Sequence, residues 1–396
     1  MAQVSPVSAN PRLLEWARQE SGWPLERVAK RLQIKVERVE AWEKGERTPT
    51  LRQIEELARL FHRPLSVFFL SRPPRLAPLA AEYRRLPGIR PGHESPQLRL
   101  ALRQMLARRE NALNLYAELG MSTPPFSLSA RLDENPAEVG ARLRDALVVP
   151  VDDQLGWRSE WEAWRTWRSR VEESGVLVFQ FGKVDLAEVR GLTLLPMPLP
   201  VVGVNGKEIP EAKSFTLLHE VVHLMLVSAE QEKSALQDHR PAAEWNRVEH
   251  FAEVAASHAL IPEPVLKAEI LHYFAGAKWT LDDTRRLAKK FRVTPLAAAT
   301  RLRESGYLTW AQFRSWREQW DKYVATLPPR RGGFATPPEK AVNRAGRPFV
   351  QLVLEALNAN RITSVDAARY LDLRYEHFGK LRDALSLTPA GEAMNE

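Results

Sequence analysis

Apolar residues recur at helical spacing through residues 10–72. The repeated i, i+3, i+4 pattern, with short breaks between segments, predicts a compact block of short helices. A tight turn at Gln33–Ile34 separates two of them. Two helices joined in this way are typical of a helix-turn-helix, whose second helix enters the major groove of DNA. We therefore predict a helix-turn-helix with its recognition helix at residues 35–43.

The hydrophobic pattern changes from helix to strand in the middle of the chain. The apolar runs GVLVFQF (175–181), LTLLP (192–196) and PVVGVN (200–205) have the length of strands. Helical spacing precedes them at 157–173 and returns from residue 246 onward. This order predicts a mainly α, α+β protein. We expect an N-terminal helix-turn-helix bundle, a core with a small β-sheet, and helical C-terminal units.

Two proline-rich stretches divide the chain into predicted domains. SRPPRLAPLAAEYRRLPGIRPGHESP follows the N-terminal block, and LPPRRGGFATPPEKAVNRAGRP follows the central region. Proline, glycine and polar residues at this density are typical of linkers. The predicted segments are a helix-turn-helix at 1–72, a linker at 73–97, a helical connector at 98–156, a central domain at 157–326, a second linker at 327–348 and a small helical unit at 349–396.

The segment SFTLLHEVVHLMLV (214–227) carries the pattern HExxH on a strongly apolar helix. Because they are four residues apart, His219 and His223 project from one helical face and can share a tetrahedral Zn²⁺. Glu220 then lies beside the open coordination position, where a general base takes a proton from bound water. These polar residues are costly on a buried helix unless a metal satisfies them. The competing interpretation is a coincidental match to the pattern.

A catalytic zinc site needs a third protein ligand, which must come from outside this helix. The segment VEHFAEVAASHALIP (248–262) offers Glu249 and Glu253 on one helical face. One of them can bind the metal while the other steadies a ligand histidine. His250 and His258 are rival ligands, and both glutamates could instead be solvent-exposed. The residues alone leave these alternatives open.

The composition is that of an ordinary soluble globular protein, with 396 residues of which 44% are hydrophobic and 27% charged. The chain contains no cysteine, which excludes disulfides, cysteine zinc ligands and thiol catalysis. We find no signal-peptide pattern after Met1 and no apolar run that could span a bilayer, and we expect a cytoplasmic protein. The net charge of +8 is compatible with nucleic-acid contact without specifying it.

Basic residues around the predicted recognition helix are candidates for contact with DNA. We expect these contacts from Arg27, Lys35, Arg38, Lys44 and Arg47. Glu37, Glu40 and Glu43 lie on or near the same helix and would repel DNA, although Glu43 could instead close the turn after the helix. The alternative is a protein-docking module. Arginine-rich faces at 97–109 and 285–303 could hold single-stranded nucleic acid or simply be solvated.

These segments together resemble the ImmA/IrrE family of bacterial zinc metallopeptidases, in its variants with an N-terminal XRE-type helix-turn-helix. Arg190–Gly191, Asn205 and Phe215–Leu217 stand at the family's Arg-Gly pair, strand end and Phe-Thr-Leu lead-in to HExxH. The register that puts Pro262 on the family's proline places Glu249 on the third ligand. The segments WEKGERTPT, RPLSVFFL, EYRRLP, VTPLAAATRL and DAARYL are also similar to these fused proteins, so the resemblance covers most of the chain.

The resemblance implies a zincin-like metallopeptidase domain over 157–326 with Zn²⁺ as cofactor, or Mn²⁺ in its place. It makes Glu220 the catalytic base and leaves Glu253 to steady a ligand histidine. Arg301, at the Arg-Leu pair of the family's downstream helices, and Tyr273 are candidates to stabilise the oxyanion. Departures from the family pattern at Lys213–Ser214, Glu253 and Ala255 touch no metal ligand.

The function implied by the resemblance is cleavage of a transcriptional repressor in a stress, prophage or mobile-element response. The expected partners are double-stranded operator DNA, or a single-stranded nucleic acid as signal, and the repressor as substrate; a homodimer stays open. The alternative is a DNA-binding regulator whose zincin domain is a sensor or scaffold. An intact HExxH favours the peptidase, because a site without chemistry has no physical need for Glu220.

Overall fold

The computed structural model describes residues 9–84, 86–274, 276, 278–327 and 335–386. They form two compact units, one within Met1–Ala81 and Arg85–Gln104, the other within Glu82–Arg84 and Met105–Glu396. The secondary structure is mainly helical with one small sheet, which confirms the predicted fold class. No helix of the described residues is long and apolar enough to cross a membrane.

The first unit contains the helix-turn-helix. Its elements are α1 (Pro11–Glu20), α2 (Leu25–Leu32), α3 (Val36–Glu43), α4 (Leu51–Phe61) and a 3₁₀ turn at Leu65–Phe69. Their apolar faces enclose Trp42, Phe61 and Phe68, each at most 2% exposed. Full burial of a phenylalanine side chain stabilises a fold by roughly 1.5–3 kcal/mol. These rings therefore account for a substantial part of the hydrophobic stabilisation of this unit.

The turn between α2 and α3 takes its shape from Gln33. Its φ of 55° lies in the left-handed region, which ends α2. The amide of Ile34 donates back to the carbonyl of Ala29 at 3.0 Å and closes the turn. Helix α3 then begins directly after Lys35, its N-cap residue. The predicted turn is present, and a helix covers nearly all of residues 35–43; its role in recognition stays a prediction.

The second unit combines the sheet with the remaining helices, while α5 (Pro96–Glu118) supplies residues to both units. Before the sheet come α6 (Pro136–Ala146), α7 (Val151–Gly156) and α8 (Glu160–Glu173). After it come α9 (Pro210–Ser228), α10 (Ala242–Leu260), α11 (Glu263–Tyr273), α12 (Leu281–Phe291), α13 (Pro295–Glu304) and α14 (Trp310–Thr326). The described chain ends with α15 (Pro337–Ala345), α16 (Arg347–Asn358), α17 (Ser364–Leu371), a 3₁₀ turn at Tyr375–His377 and α18 (Phe378–Ser386).

The sheet consists of β1 (Leu177–Phe181), β2 (Gly191–Leu194) and β3 (Val201–Asn205), in the spatial order β1-β3-β2. Strand β3 pairs in parallel with β1 and antiparallel with β2, with Gly203 opposite both Phe179 and Leu192. The central strand β3 is buried along its whole length, as expected for a strand covered on both faces. All three predicted strands are present, and on the side that faces away from β3 strand β2 is bridged to Tyr83.

Helix α9 is the central helix of the second unit. It packs against β2, β3, α8 and α10, and Leu217, Val221 and Val222 along it are all 0% exposed. This confirms the prediction of a buried helix. Helix α10 in turn crosses α6 so closely that a Cβ on Gly140 would collide with the carbonyl oxygen of Ala255. The pair α9 and α10 is thereby held in place from both sides.

Helix α15 corrects the predicted linker at 327–348. Thr336 and Glu339 cap its N-terminus reciprocally, and prolines fill the first helical turn, where a missing N–H costs nothing. The composition suggested a linker because a count of prolines does not show which position of a helix each proline occupies. Phe349 of α16 then packs edge-on against Phe179 of β1, with ring centroids 6.0 Å apart. Of the predicted domains, residues 1–8, 328–334 and 387–396 lie outside the described part of the chain.

We expect Gly140→Ala to destabilise the protein by about 1–3 kcal/mol, because the added methyl group forces α6 away from α10. Thermal unfolding measures this as a lower Tm. Gly156→Ala is the matched control, since Gly156 is also helical and its added methyl would meet no atom within 4 Å. An unchanged Tm for Gly140→Ala would contradict the close crossing.

Candidate metal centre

Helix α9 places two imidazoles around a common point. His219 and His223 lie one helical turn apart, with ring centroids separated by 4.8 Å. Their Nε2 atoms are only 3.2 Å apart. The two nitrogens therefore converge, as the spacing in HExxH predicts.

Helix α10 completes the group with Glu249. Its carboxylate oxygens lie 3.4 Å from Nε2 of His219 and 3.6 Å from Nε2 of His223. Ligand atoms at about 2.0–2.1 Å from a tetrahedral Zn²⁺ are separated from each other by about 3.3–3.4 Å. The two imidazole nitrogens, 3.2 Å apart, are close to that value, and the two carboxylate distances of 3.4 and 3.6 Å end on different oxygens of Glu249. One ligand atom from each of the three residues lies within 4.8 Å of the others, which groups them as a candidate metal site.

The donor set also fits a zinc ion chemically. Two imidazole nitrogens and one carboxylate are the ligands of one class of catalytic zinc site, which keeps a fourth position open. Burial, with the nearby Arg84 charge, lowers the pKa of His223, so this imidazole is neutral and able to bind metal near pH 7. Burial opposes ionisation of Glu249, but Arg84 and the two histidines outweigh it and lower the pKa of Glu249. Glu249 is therefore a carboxylate.

Glu220 lies between this cluster and strand β2, and it is 2% exposed. Gly191 permits the approach, because a Cβ there would collide with Thr216 and lie 2.9 Å from Cγ of Glu220. The hydroxyl of Thr193, in the same strand, donates to Oε2 of Glu220 at 2.7 Å. The glycine that carried the family resemblance thus has a physical reason: it lets the strand touch the glutamate.

Arg84 is the residue that sequence analysis missed. Its guanidinium donates to both carboxylate oxygens of Glu220, at 3.2 and 3.0 Å, and to Glu249 at 2.7 Å. The Arg84 side chain is 1% exposed. Composition assigned it to the linker at 73–97, where an arginine is normally solvated. The available signal was the segment EYRRLP, which carries the family resemblance although it lies outside both predicted functional domains.

The carboxylate behind His223 belongs to Glu232 rather than to Glu253. Oε2 of Glu232 lies 3.8 Å from Nδ1 of His223, and the Glu232 side chain is 0% exposed. Arg240 donates to the other oxygen of Glu232 at 3.2 Å and fixes its position. Glu253 instead points to solvent from α10. Spacing on one helix could not find Glu232, because it lies in the loop after α9.

Arg301 and Tyr273, the predicted oxyanion-stabilising residues, have other partners. The buried Arg301 donates to the carbonyl of Ile261 at 3.1 Å and to Glu263 at 2.7 Å, which ties α13 to the start of α11. Tyr273 is 56% exposed, with the Lys290 ammonium 3.4 Å from its ring centroid. Among the contacts of the described residues, none joins either side chain to the metal cluster. The structure therefore gives both residues a structural place in the fold.

The two rival histidines on α10 also lie apart from the cluster. His250 is exposed. Nδ1 of His258 lies 3.1 Å from the Arg301 guanidinium, and burial together with that charge lowers the pKa of His258 to about 4. Geometry thus favours Glu249 over the histidines that the sequence left open.

The first unit presents the predicted DNA-contacting side chains to solvent. The exposed residues are Arg27, Lys35, Arg38, Lys44 and Arg47. Two of the three opposing glutamates are engaged elsewhere: Glu43 accepts hydrogen bonds of 2.7 and 2.9 Å from Arg18, and Glu40 lies 3.7 Å from the Lys44 ammonium. Glu37 is exposed on the same helix. Five of these eight charged side chains are basic, and Lys44 among them is the partner of Glu40.

Comparisons with known proteins match two separate segments of the chain. Residues 14–68 match the helix-turn-helix family, and residues 171–303 match the family described as the IrrE N-terminal-like domain. The chain is similar to the radiation response metalloprotease IrrE of Deinococcus radiodurans, at 34% identity over 134 residues. The match covers 30% of this chain and 39% of that relative. The protein therefore carries a segment similar to XRE-type helix-turn-helix domains, followed by a domain similar to that of IrrE-like metallopeptidases.

We expect the purified protein to bind one zinc ion, and loss of any one ligand to weaken binding by more than about 100-fold. His219→Ala, His223→Ala and Glu249→Ala remove one donor each. Competition against a chromogenic chelator, with elemental analysis, measures the affinity. Glu253→Ala is the control, because its carboxylate is exposed on the same helix as Glu249. Equal affinity in the ligand variants and the parent would contradict the site.

Proposed function

We propose that this protein is a zinc-dependent endopeptidase coupled to a DNA-binding domain, and that it cleaves a transcriptional repressor in a stress, prophage or mobile-element response. The observation that carries the proposal is the convergence of His219, His223 and Glu249 beside Glu220. The match of residues 171–303 to the family described as the IrrE N-terminal-like domain supports the reaction. The similarity to a radiation response metalloprotease supports a role in stress.

The residues of the site divide the chemistry of peptide hydrolysis between them. His219, His223 and Glu249 would hold the zinc ion, which supplies Lewis acidity at the scissile carbonyl. Glu220 accepts a proton from the attacking water and then delivers it to the leaving amine. Glu232 would keep the ring of His223 in its binding orientation.

Strand β2 provides the surface on which a substrate can lie. The side of β2 that faces away from β3 is bridged to Tyr83 in this structure. A peptide that paired there instead would gain main-chain hydrogen bonds without needing a particular sequence. Since Thr193 of β2 is hydrogen-bonded to Glu220, such a peptide would run past the catalytic base. A strand that passes the base and continues in both directions suits cleavage within a chain rather than at its end.

The helix-turn-helix would act as an address for the peptidase. Its five exposed basic residues support binding to the phosphates of an operator. A repressor bound at the same operator would then be held near the catalytic unit at high effective concentration.

A second candidate function is a DNA-binding regulator whose zincin domain senses or scaffolds and does not cleave. The observation that favours it is the ion pair between Arg84 and Glu220, which occupies the proposed base. The peptidase requires Glu220 as a proton acceptor, whereas a regulator that does not cleave has no such requirement.

We expect Glu220→Gln to bind zinc as the parent does and to lose cleavage by about 10²–10⁴-fold, because the amide cannot accept the proton. Incubation with the repressors encoded beside the gene, followed by electrophoresis, measures the cleavage. Glu253→Gln makes the same chemical change on an exposed side chain and should leave the rate unchanged. Cleavage by Glu220→Gln at the parent rate would contradict the role of Glu220 in the peptidase mechanism.

We expect replacement of Lys35 and Arg38 by alanine to weaken DNA binding and to reduce the salt dependence of the affinity. The slope of log affinity against log salt should fall by about one for each phosphate that the variant no longer neutralises. Fluorescence anisotropy with a duplex selected by the parent protein from a random library gives both values. Arg59→Ala is the matched control, because Arg59 is an exposed arginine on α4, outside the turn. An equal loss in both variants would point to general charge alone.

A further inference from the structure

Residues Glu82–Arg84 form an extended segment along the side of β2 that faces away from β3. The amide of Leu195 donates to the Glu82 carbonyl at 3.0 Å, and the amide of Arg84 donates to the Thr193 carbonyl at 3.3 Å. Tyr83 is thereby paired antiparallel with Leu194. This segment occupies the sheet edge that a substrate strand would use.

The other side of the segment is also paired. The amide of Ala235 donates to the carbonyl of Tyr83 at 2.8 Å, and Arg84 is bridged to Ser234. The segment therefore lies as a short strand between β2 and the loop after α9. A strand of a substrate could make the same hydrogen bonds only in its absence.

The side chain of Arg84 fills the proposed catalytic position as well. Both oxygens of Glu220 accept from its guanidinium, and Oε2 accepts also from Thr193. Three donors therefore already occupy the carboxylate that would have to contact the attacking water, and two of them belong to Arg84. The same cation lies against Glu249, where it opposes the binding of a second positive charge.

We propose that residues Glu82–Arg84 are an inhibitory strand, which fills the peptide groove of the peptidase and must leave before a substrate binds. This inference rests on the proposed function. Backbone pairing blocks the groove, and the arginine blocks the base. The segment is short and flanked by proline-rich sequence. Tyr83 and Arg84 are each 1% exposed, so its release has a free-energy cost, which the binding of zinc and of a substrate strand would have to offset.

The competing interpretation makes Arg84 a permanent positioning residue for Glu220. The two interpretations predict opposite signs when the charge of Arg84 is removed. For an inhibitory strand, Arg84→Gln should bind zinc at least about tenfold more tightly and cleave faster. For a permanent positioning residue, the same variant should bind zinc no better and cleave more slowly.

The first test compares Arg84→Gln with Arg84→Lys and with the parent. Zinc affinity is measured on metal-free protein by chelator competition, and cleavage on the repressors encoded beside the gene. Lysine keeps the charge and should stay near the parent in zinc affinity. Arg317→Gln, which changes an exposed arginine of α14, is the matched control. Weaker zinc binding together with slower cleavage in Arg84→Gln overturns the proposal.

The second test locks the segment in place and does not remove Arg84. Tyr83 and Leu194 face each other across the bridge as a non-hydrogen-bonded pair, with an expected Cα separation of about 4.5 Å that suits a disulfide. Because the chain has no cysteine, Tyr83→Cys with Leu194→Cys forms one defined bond. The reduced form of the same molecule is the control.

We expect the oxidised form to bind an N-acyl-dipeptide hydroxamate at least about tenfold more weakly than the phosphine-reduced form, and to cleave no repressor. Equal hydroxamate binding in both forms overturns the inhibitory strand and leaves the peptidase standing. Absence of zinc binding in the parent, in Arg84→Gln and in the reduced form overturns both proposals. The two failures are therefore distinguishable.

Discussion

The structure of the second unit depends on the burial of polar metal-binding groups inside an apolar core. His223 is 0% exposed and Glu220 is 2% exposed. Both lie on α9, where the surrounding residues of the sequence include leucine, valine and methionine. An unpaired carboxylate or imidazole in such a place would cost several kcal/mol. The fold meets this cost by bringing Glu249, Thr193 and Arg84 to the same point. Each of these comes from a different part of the chain, so the site forms only when the elements of the unit pack as they do here.

Close backbone contacts make that convergence possible. Gly191 lets β2 reach Glu220, and Gly140 lets α6 support α10, which carries Glu249. A side chain at either position would separate elements whose distance sets the metal geometry. The three ligand residues must stay close together for one ion to reach them all, since zinc–ligand distances vary by only about 0.2 Å. Two glycines far apart in the sequence thus serve one geometric requirement.

Arg84 changes how the charges of the site balance. With Arg84 in place, Glu220 and Glu249 share one guanidinium, which balances one of their two negative charges without a metal. A zinc ion would compete with that arginine for Glu249, and a substrate strand would compete with residues 82–84 for β2. Binding of zinc and binding of a substrate strand would therefore both favour the release of the segment 82–84. The coupling is physical because backbone pairing and charge pairing involve the same three residues.

The sequence by itself determined the helix-turn-helix, the three strands and the paired histidines of α9. Those features follow from local periodicity and from the spacing of residues within one element, which the order of amino acids specifies directly. Only the tertiary structure decided that Glu249 joins the site, that Glu232 takes the place predicted for Glu253, and that Arg301 belongs elsewhere. It also placed Arg84, read as part of a solvated linker, against the catalytic glutamate. The Arg84 contacts join residues more than a hundred positions apart, and local patterns carry no information on which separate segments of the chain meet.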